Sequence, residues 1–253
     1  MSRLLMKIAY DGTEFYGWQI QKHSRTVQYV LQKALLDFSG DKIKVTGSGR
    51  TDTGVHALGQ YAHFDYTGNA NTEQLRKGLK RFLPEDIQIL KIFKVSSDFH
   101  ARYDAFERCY KYIIANNPTP FNRLYQASFP RKRIQFDILN AASQYFIGKH
   151  DFSSFSKDNP AVPDHVCTIK ESGFELINDT IVYTIRADRF LHNMVRRIIG
   201  LMINISHMEL EPDLVLTLLK QKQAKQTLVF PVPPQGLYLT EVLYPKDKFD
   251  IDC

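Results

Sequence analysis

Residues 171–186 read ESGFELINDTIVYTIR, two β-prone runs on either side of Asn178 and Asp179, a pair that favours a tight turn. The stretch therefore predicts an antiparallel hairpin. Downstream, helical spacing is expected over residues 190–206 and 212–221, with a last strand over 236–244. Upstream, ERCYKYIIANNP (residues 107–118) reads as a strand closed by Asn117 and Pro118, and residues 137–147 carry helical spacing that ends at Gly148. The first half adds a strand over 3–10, ended by Asp11 and Gly12. A helix then follows from Thr26, with Val27, Val30, Leu31, Ala34, Leu35 and Phe38 on one face, Ser24 or Thr26 as cap and Gly40 as stop. Strands are expected over 42–46 and 60–66. Thr72 can cap a short helix halted by Pro84, and residues 87–95 alternate as a strand, with Ile87, Ile89, Lys91, Phe93 and Val95 on one face. Strands outnumber simple alternating strand-helix units and a hairpin is present. The fold class is therefore α+β with a largely antiparallel sheet flanked by helices, not a doubly wound parallel fold.

The chain has 253 residues, which leaves room for two halves, about 1–105 and 106–253. With 43% hydrophobic and 24% charged residues, it falls outside the ranges of disordered, collagenous and coiled-coil sequences. The longest uncharged apolar run, residues 198–205, is broken by Gly200 and Asn204 and is far too short to cross a bilayer. Arg3 and Lys7 interrupt the N-terminal apolar run, so it reads as a first strand and not as a signal peptide. A cytoplasmic protein with no membrane partner is expected. The cysteines, Cys109, Cys167 and Cys253, contain no CxxC pair, and reduced thiols follow.

Lys and Arg number 33 against 27 Asp and Glu, a net charge of +6 that becomes informative only through its placement. Basic residues gather at Arg76, Lys77, Lys80 and Arg81, at Arg131, Lys132 and Arg133, and at Arg186, Arg189, Arg196 and Arg197. Phe82, Phe129 and Phe190 lie near them in sequence. Cationic groups neutralise phosphates and aromatic faces stack unpaired bases, a composition that suits RNA; solvated helix faces would produce the same clusters.

Residues 47–56, GSGRTDTGVH, pack three glycines, Arg50, Asp52, two threonines and His56 between two strands. Glycine density of this kind admits a ligand close to the backbone. The segment lacks the Gly-Lys-Ser/Thr end of a phosphate loop and does not match GxGxxG. On its own it also reads as a sharp turn in which Asp52 bonds its own backbone. No HExxH, close histidine pair or GxSxG elbow occurs, so neither a zinc site nor a serine nucleophile is expected, and Cys109 reads as a small core residue. A carboxylate, arginines and tyrosines remain, a set suited to chemistry on a bound base without a cofactor.

SGRTDTGVHA, residues 48–57, resembles the signature of the tRNA pseudouridine synthase A family. Five companions stand in the right order: YDGTEFYGWQIQ (10–21), FHARYDAFERCYKY (99–112), HDFSSF (150–155), FLHNMVRRIIG (190–200) and GLYLTEVLYP (236–245). The resemblance covers nearly the whole chain and outweighs the turn and solvated-face readings. It implies that Asp52 is the catalytic nucleophile and that Arg196 forms a salt bridge with it. Tyr110 would stack on the target base, and Arg50 would hold the flipped nucleotide. It further implies a homodimer acting on tRNA at position 38, 39 or 40 of the anticodon stem-loop, with no cofactor or metal and with the sheets of the two halves joined. The family often carries Asn where this chain has Arg197; a regular helix turns Arg197 about 100° away from Arg196, which assigns it to the surface or to phosphate. Tyr112 is expected to pack. The competing reading is a catalytically silent RNA-binding protein of the same fold.

Overall fold

The computed structural model describes residues 1–68, 71–129, 134–157, 164–223 and 226–248. The basic run Arg131, Lys132 and Arg133, and also Cys253, lie outside them. In chain order the elements begin β1 (Ser2–Tyr10), α1 (Val27–Ser39), β2 (Thr46–Gly47), β3 (His56–Tyr66), α2 (Thr72–Leu79) and β4 (Ile87–Lys94). They continue with β5 (Glu107–Ala115), α3 (Phe136–Gln144), β6 (Gly148–Asp151), β7 (Val166–Ile177), β8 (Thr180–Ala187), α4 (Met194–Met208), α5 (Leu214–Gln221) and β9 (Leu237–Leu243). The content is α+β, as the hairpin and strand count predict. No helix among the described residues is long and apolar enough to cross a membrane.

The chain divides into two compact units, Met1–Glu107 with the stretch from Tyr238 onward, and Arg108–Leu237. In the first, strands run in the order β4-β1-β3-β9, with β2 paired to β3. β1 is antiparallel to both neighbours, while β3 and β9 pair in parallel through His56 with Tyr238 and Ala57 with Leu239. Leu4, Leu5, Met6 and Ile8 of β1 are all buried, which explains why this central strand reads as a nearly continuous apolar run. Burying each such side chain contributes about 1.5–3 kcal/mol before entropy is counted. α1 buries Val27, Leu31, Ala34 and Leu35 and stops at Gly40, whose φ of 79° is left-handed.

Three local expectations are corrected here. The strand expected over 42–46 shrinks to β2, because side chains of α1 take the backbone groups a ladder would need: Gln28 Nε2 donates to Val45 O at 2.8 Å, and the Val45 N–H donates to Gln32 Oε1 at 3.1 Å. Asn71, not Thr72, caps α2, its side chain accepting the Glu73 N–H; and Thr26, although in the cap position of α1, has a buried Oγ1 with no hydrogen-bond partner among the described residues. In β4 the register with β1 slips between Lys7 and Ile8, passing over Leu90. That bulge reverses the alternation, so Ile92 is buried along with Ile87, Ile89 and Phe93.

In the second unit β5-β8-β7-β6 form an antiparallel sheet. β7 and β8 are the expected hairpin, turning at Asn178, whose φ of 53° is a conformation Asn tolerates. β6 was not visible in the sequence because its four residues, GKHD, carry no apolar alternation. α4 starts four residues later than its spacing predicts, since Asn193 takes a left-handed φ of 61°. Phe146, Phe152 and Phe155 are fully buried against one another, with Phe146 and Phe155 edge to face at 5.3 Å. The HDFSSF segment therefore supplies core packing.

Candidate active site

Asp52 lies in the connection between β2 and β3, and the chain on both sides of it is pinned. Ser48 is buried and donates its N–H to Tyr61 O at 2.7 Å, while its hydroxyl donates to Gln60 Oε1. Gln60 Nε2 donates to Gly49 O at 3.2 Å. Thr51, immediately before Asp52, is buried; its Oγ1 lies 2.8 Å from the Tyr10 hydroxyl, and its carbonyl accepts the Trp18 N–H at 3.1 Å. Beyond Asp52, its own carbonyl accepts the Val55 N–H at 3.2 Å, and the Gly54 N–H donates to Phe15 O at 3.2 Å.

The early YDGTEFYGW segment, residues 10–18, is therefore the cradle of the Asp52 loop. Two glycines make the approach possible. A Cβ at Gly12 would collide with Val55 O, and Gly17, at a φ of 80°, leaves no room for one beside Thr51 O. The Gly12 N–H donates to His56 Nδ1 at 3.0 Å, and the Asp11 carboxylate stands 3.2 Å from the same nitrogen. His56 is buried and stacks on Tyr238 at 4.7 Å. Through these contacts His56 ties the end of the loop to the Asp11–Gly12 turn. Within this frame Asp52 itself is half-buried and Arg50 is exposed.

The second unit carries the other two candidates. Tyr110 on β5 is half-buried and meets Phe190 edge to face, with ring centroids 5.1 Å apart. Tyr112 is fully buried and donates its hydroxyl to Pro233 O at 2.9 Å, and burial pushes its phenol well above the usual range. It is a packing residue, as expected. Arg196, in the first turn of α4, donates from Nε to Val232 O at 2.7 Å and from Nη1 to Asn193 Oδ1 at 3.2 Å. Arg197 departs from a purely surface position. It is half-buried, its Nε is sealed from solvent with no partner among the described residues, and desolvation lowers its pKa.

The basic clusters are partly neutralised. Arg76 grips Glu73 at 2.7 Å, Arg186 meets Glu171 at 3.1 Å, and Arg189 lies 3.8 Å from Asp164. Lys80 and Arg81 are exposed. Among the described residues no three His, Cys, Asp or Glu side chains group as metal ligands.

The family model that describes a tRNA pseudouridine synthase matches residues 6–104 and 142–245. Three curated proteins called tRNA pseudouridine synthase A are similar over nearly their whole lengths. That of Thermoanaerobacter sp. (strain X514) is 38% identical over 248 residues, covering 96% of this chain and 100% of the relative. That of Bacteroides fragilis is 38% identical over 252 residues, covering 99% of each. That of Lacticaseibacillus casei is 39% identical over 252 residues, covering 96% of this chain and 100% of the relative.

Proposed function

The chain belongs to the tRNA pseudouridine synthase family, an isomerase family, and we propose that it converts uridine to pseudouridine at position 38, 39 or 40 of the tRNA anticodon stem-loop, with Asp52 as nucleophile. The reaction breaks the bond between C1′ and N1 of the uracil, turns the base, and forms a bond between C1′ and C5. C5 gives up its proton and N1 ends with one, so atoms and electrons balance without an oxidant, a reductant or a metal.

Each proposed role follows from side-chain chemistry. A carboxylate nucleophile has to be ionised inside a pocket that disfavours charge, and the Arg196 guanidinium, as its salt-bridge partner, would favour the charged form. Tyr110 would stack on the target base and help carry the C5 proton. Arg50 would hold the displaced nucleotide, offsetting the few kcal/mol that unstacking costs. A cytoplasmic homodimer belongs to the same proposal.

The observation that supports this reading most is the Asp52 loop. Ser48, Gly49, Thr51 and Gly54 are all hydrogen-bonded to the surrounding frame, while Asp52 is only half-buried. Fixed backbone around an accessible carboxylate is what an attack in one geometry requires. The test is incubation of the protein, with EDTA and no added cofactor, on an unmodified tRNA transcript, followed by site-resolved detection of pseudouridine, with Asp52→Asn alongside. Pseudouridine in the anticodon arm from the wild type alone is expected, with Asp52→Asn still binding tRNA. Binding without product from the wild type would favour the silent RNA-binding protein, and turnover by Asp52→Asn would remove Asp52 from the chemistry.

A further inference from the structure

Beneath the Asp52 loop lies a chain of polar groups that nothing in the sequence pattern announces. Tyr10, the last residue of β1, is almost wholly buried, as are Gln60 of β3, Ser48 and Thr51. Gln60 holds one end of the loop: its Oε1 accepts from the Ser48 hydroxyl and, at 3.0 Å, from the Tyr61 N–H, and its Nε2 donates to Gly49 O. Tyr10 holds the other end, its hydroxyl 2.8 Å from Thr51 Oγ1. Burial pushes the Tyr10 phenol up to about 12, so it keeps its proton and the pattern does not change near neutral pH.

This arrangement is costly unless complete, because each buried group left unpaired forfeits about 1–3 kcal/mol. An apolar filling could stabilise the fold as well. What the polar chain adds is direction: it ties Ser48, Gly49 and Thr51 to two neighbouring strands. The β1–β3 register shifts between Ile8, opposite Gln60, and Tyr10, opposite Ala57. A bulge of this kind re-aims a side chain, here Tyr10 towards the residue that precedes Asp52.

We propose that Tyr10 and Thr51, joined directly through their hydroxyls, are positioning residues for Asp52, fixing the height and direction of its carboxylate so that the pair contributes to the rate of the chemical step and not to tRNA affinity. The inference rests on the reading of Asp52 as nucleophile and adds how that group is aimed. Thr51 can act this way because both of its polar groups are committed, Oγ1 to Tyr10 and O to the Trp18 N–H, and the next α-carbon carries the carboxylate.

The test compares Tyr10→Phe, Thr51→Val, Thr51→Ser and Asp52→Asn by single-turnover rate on a tRNA transcript, by tRNA dissociation constant and by melting temperature. Tyr10→Phe and Thr51→Val keep shape and lose the bond; a displacement of about 1 Å at a reacting group costs about 100-fold, so a rate loss of about 10- to 100-fold is expected, with tRNA affinity within about twofold. Thr51→Ser restores the oxygen and should recover most of the rate, an outcome that a merely structural role would not produce. If Tyr10→Phe does not fold, the contrast between Thr51→Val and Thr51→Ser decides alone. Full rates in Tyr10→Phe and Thr51→Val beside an inactive Asp52→Asn would overturn the positioning role and leave the nucleophile in place. So would parallel losses of rate, affinity and melting temperature. Turnover by Asp52→Asn would instead bring down the reading on which the inference rests.

Discussion

At the scale of single residues, Arg196 shows why type matters beyond charge. Two of its donors are committed inside its own unit, Nε to Val232 O and Nη1 to Asn193 Oδ1, so the guanidinium plane has a fixed orientation there. A lysine keeps the charge but has neither the fork nor the plane. If Arg196 has the role proposed for it, Arg196→Lys is expected to lower kcat/KM by about 100-fold or more, the scale at which a misplaced reacting group is felt, with the melting temperature little changed; near-normal rates in a steady-state assay would remove Arg196 from the proposal. The roles proposed for Asp52, Arg196, Tyr110 and Arg50 start from contiguous motifs, which a sequence displays. The Tyr10–Thr51 bond was not legible, because it joins residues 41 positions apart and a sequence shows no pairing between a strand end and a distant loop. The packing role of Tyr112 was legible, whereas the half-burial of Arg197 depended on what covers its face of α4.

Among the elements, the same contrast recurs between patterns set locally and patterns set by neighbours. α1, the β7–β8 hairpin and β9 follow from periodicity, Gly40, Asn178 and Asp179. The strand expected at 42–46 failed because Gln28 and Gln32 of α1 captured the backbone of Val45, and the alternation of β4 failed at a bulge opposite β1. α4 carries a neighbour effect that can be tested. Gly200 lies against the segment around Phe230, where the Val232 N–H donates to Arg196 O at 3.2 Å and Asn204 Nδ2 donates to Leu228 O at 2.9 Å. On helix propensity alone, Gly200→Ala would stabilise by about 1 kcal/mol. The added Cβ would instead collide with Phe230 O, and overpacking of this kind costs about 1–3 kcal/mol. Urea unfolding should show a net loss of stability, and activity should fall because the displaced segment also holds Arg196. A gain in stability would mean that the segment yields without cost.

Over the whole molecule, the count of 33 Lys and Arg overstates the free cationic surface, since Arg3, Arg25, Arg76 and Arg186 each hold a carboxylate within 3.1 Å. Such exposed or half-exposed pairs are each worth about 0–1 kcal/mol, so they leave room for one buried group to shape the pH response. His63 on β3 is buried and accepts the Ala101 N–H on Nδ1 at 3.1 Å. Burial, reinforced by His100 at a ring distance of 4.7 Å and by Arg3, holds its pKa down to about 4, with Asp65 and Asp104 opposing. The unfolded chain, with an ordinary histidine value near 6.5, takes up a proton between those limits that the folded chain refuses. Stability from this group is therefore complete above about pH 6.5 and is lost as pH falls towards 4, with a slope of at most about 1.4 kcal/mol per pH unit. Asn at position 63 can accept the same N–H through its side-chain oxygen without titrating. The melting temperature of the wild type should thus fall more steeply than that of His63→Asn between pH 6.5 and 4.5, with the two curves parallel above pH 7. Parallel curves throughout would show that His63 protonates in the folded protein as readily as in the unfolded chain, and the acid sensitivity would then belong to the carboxylates.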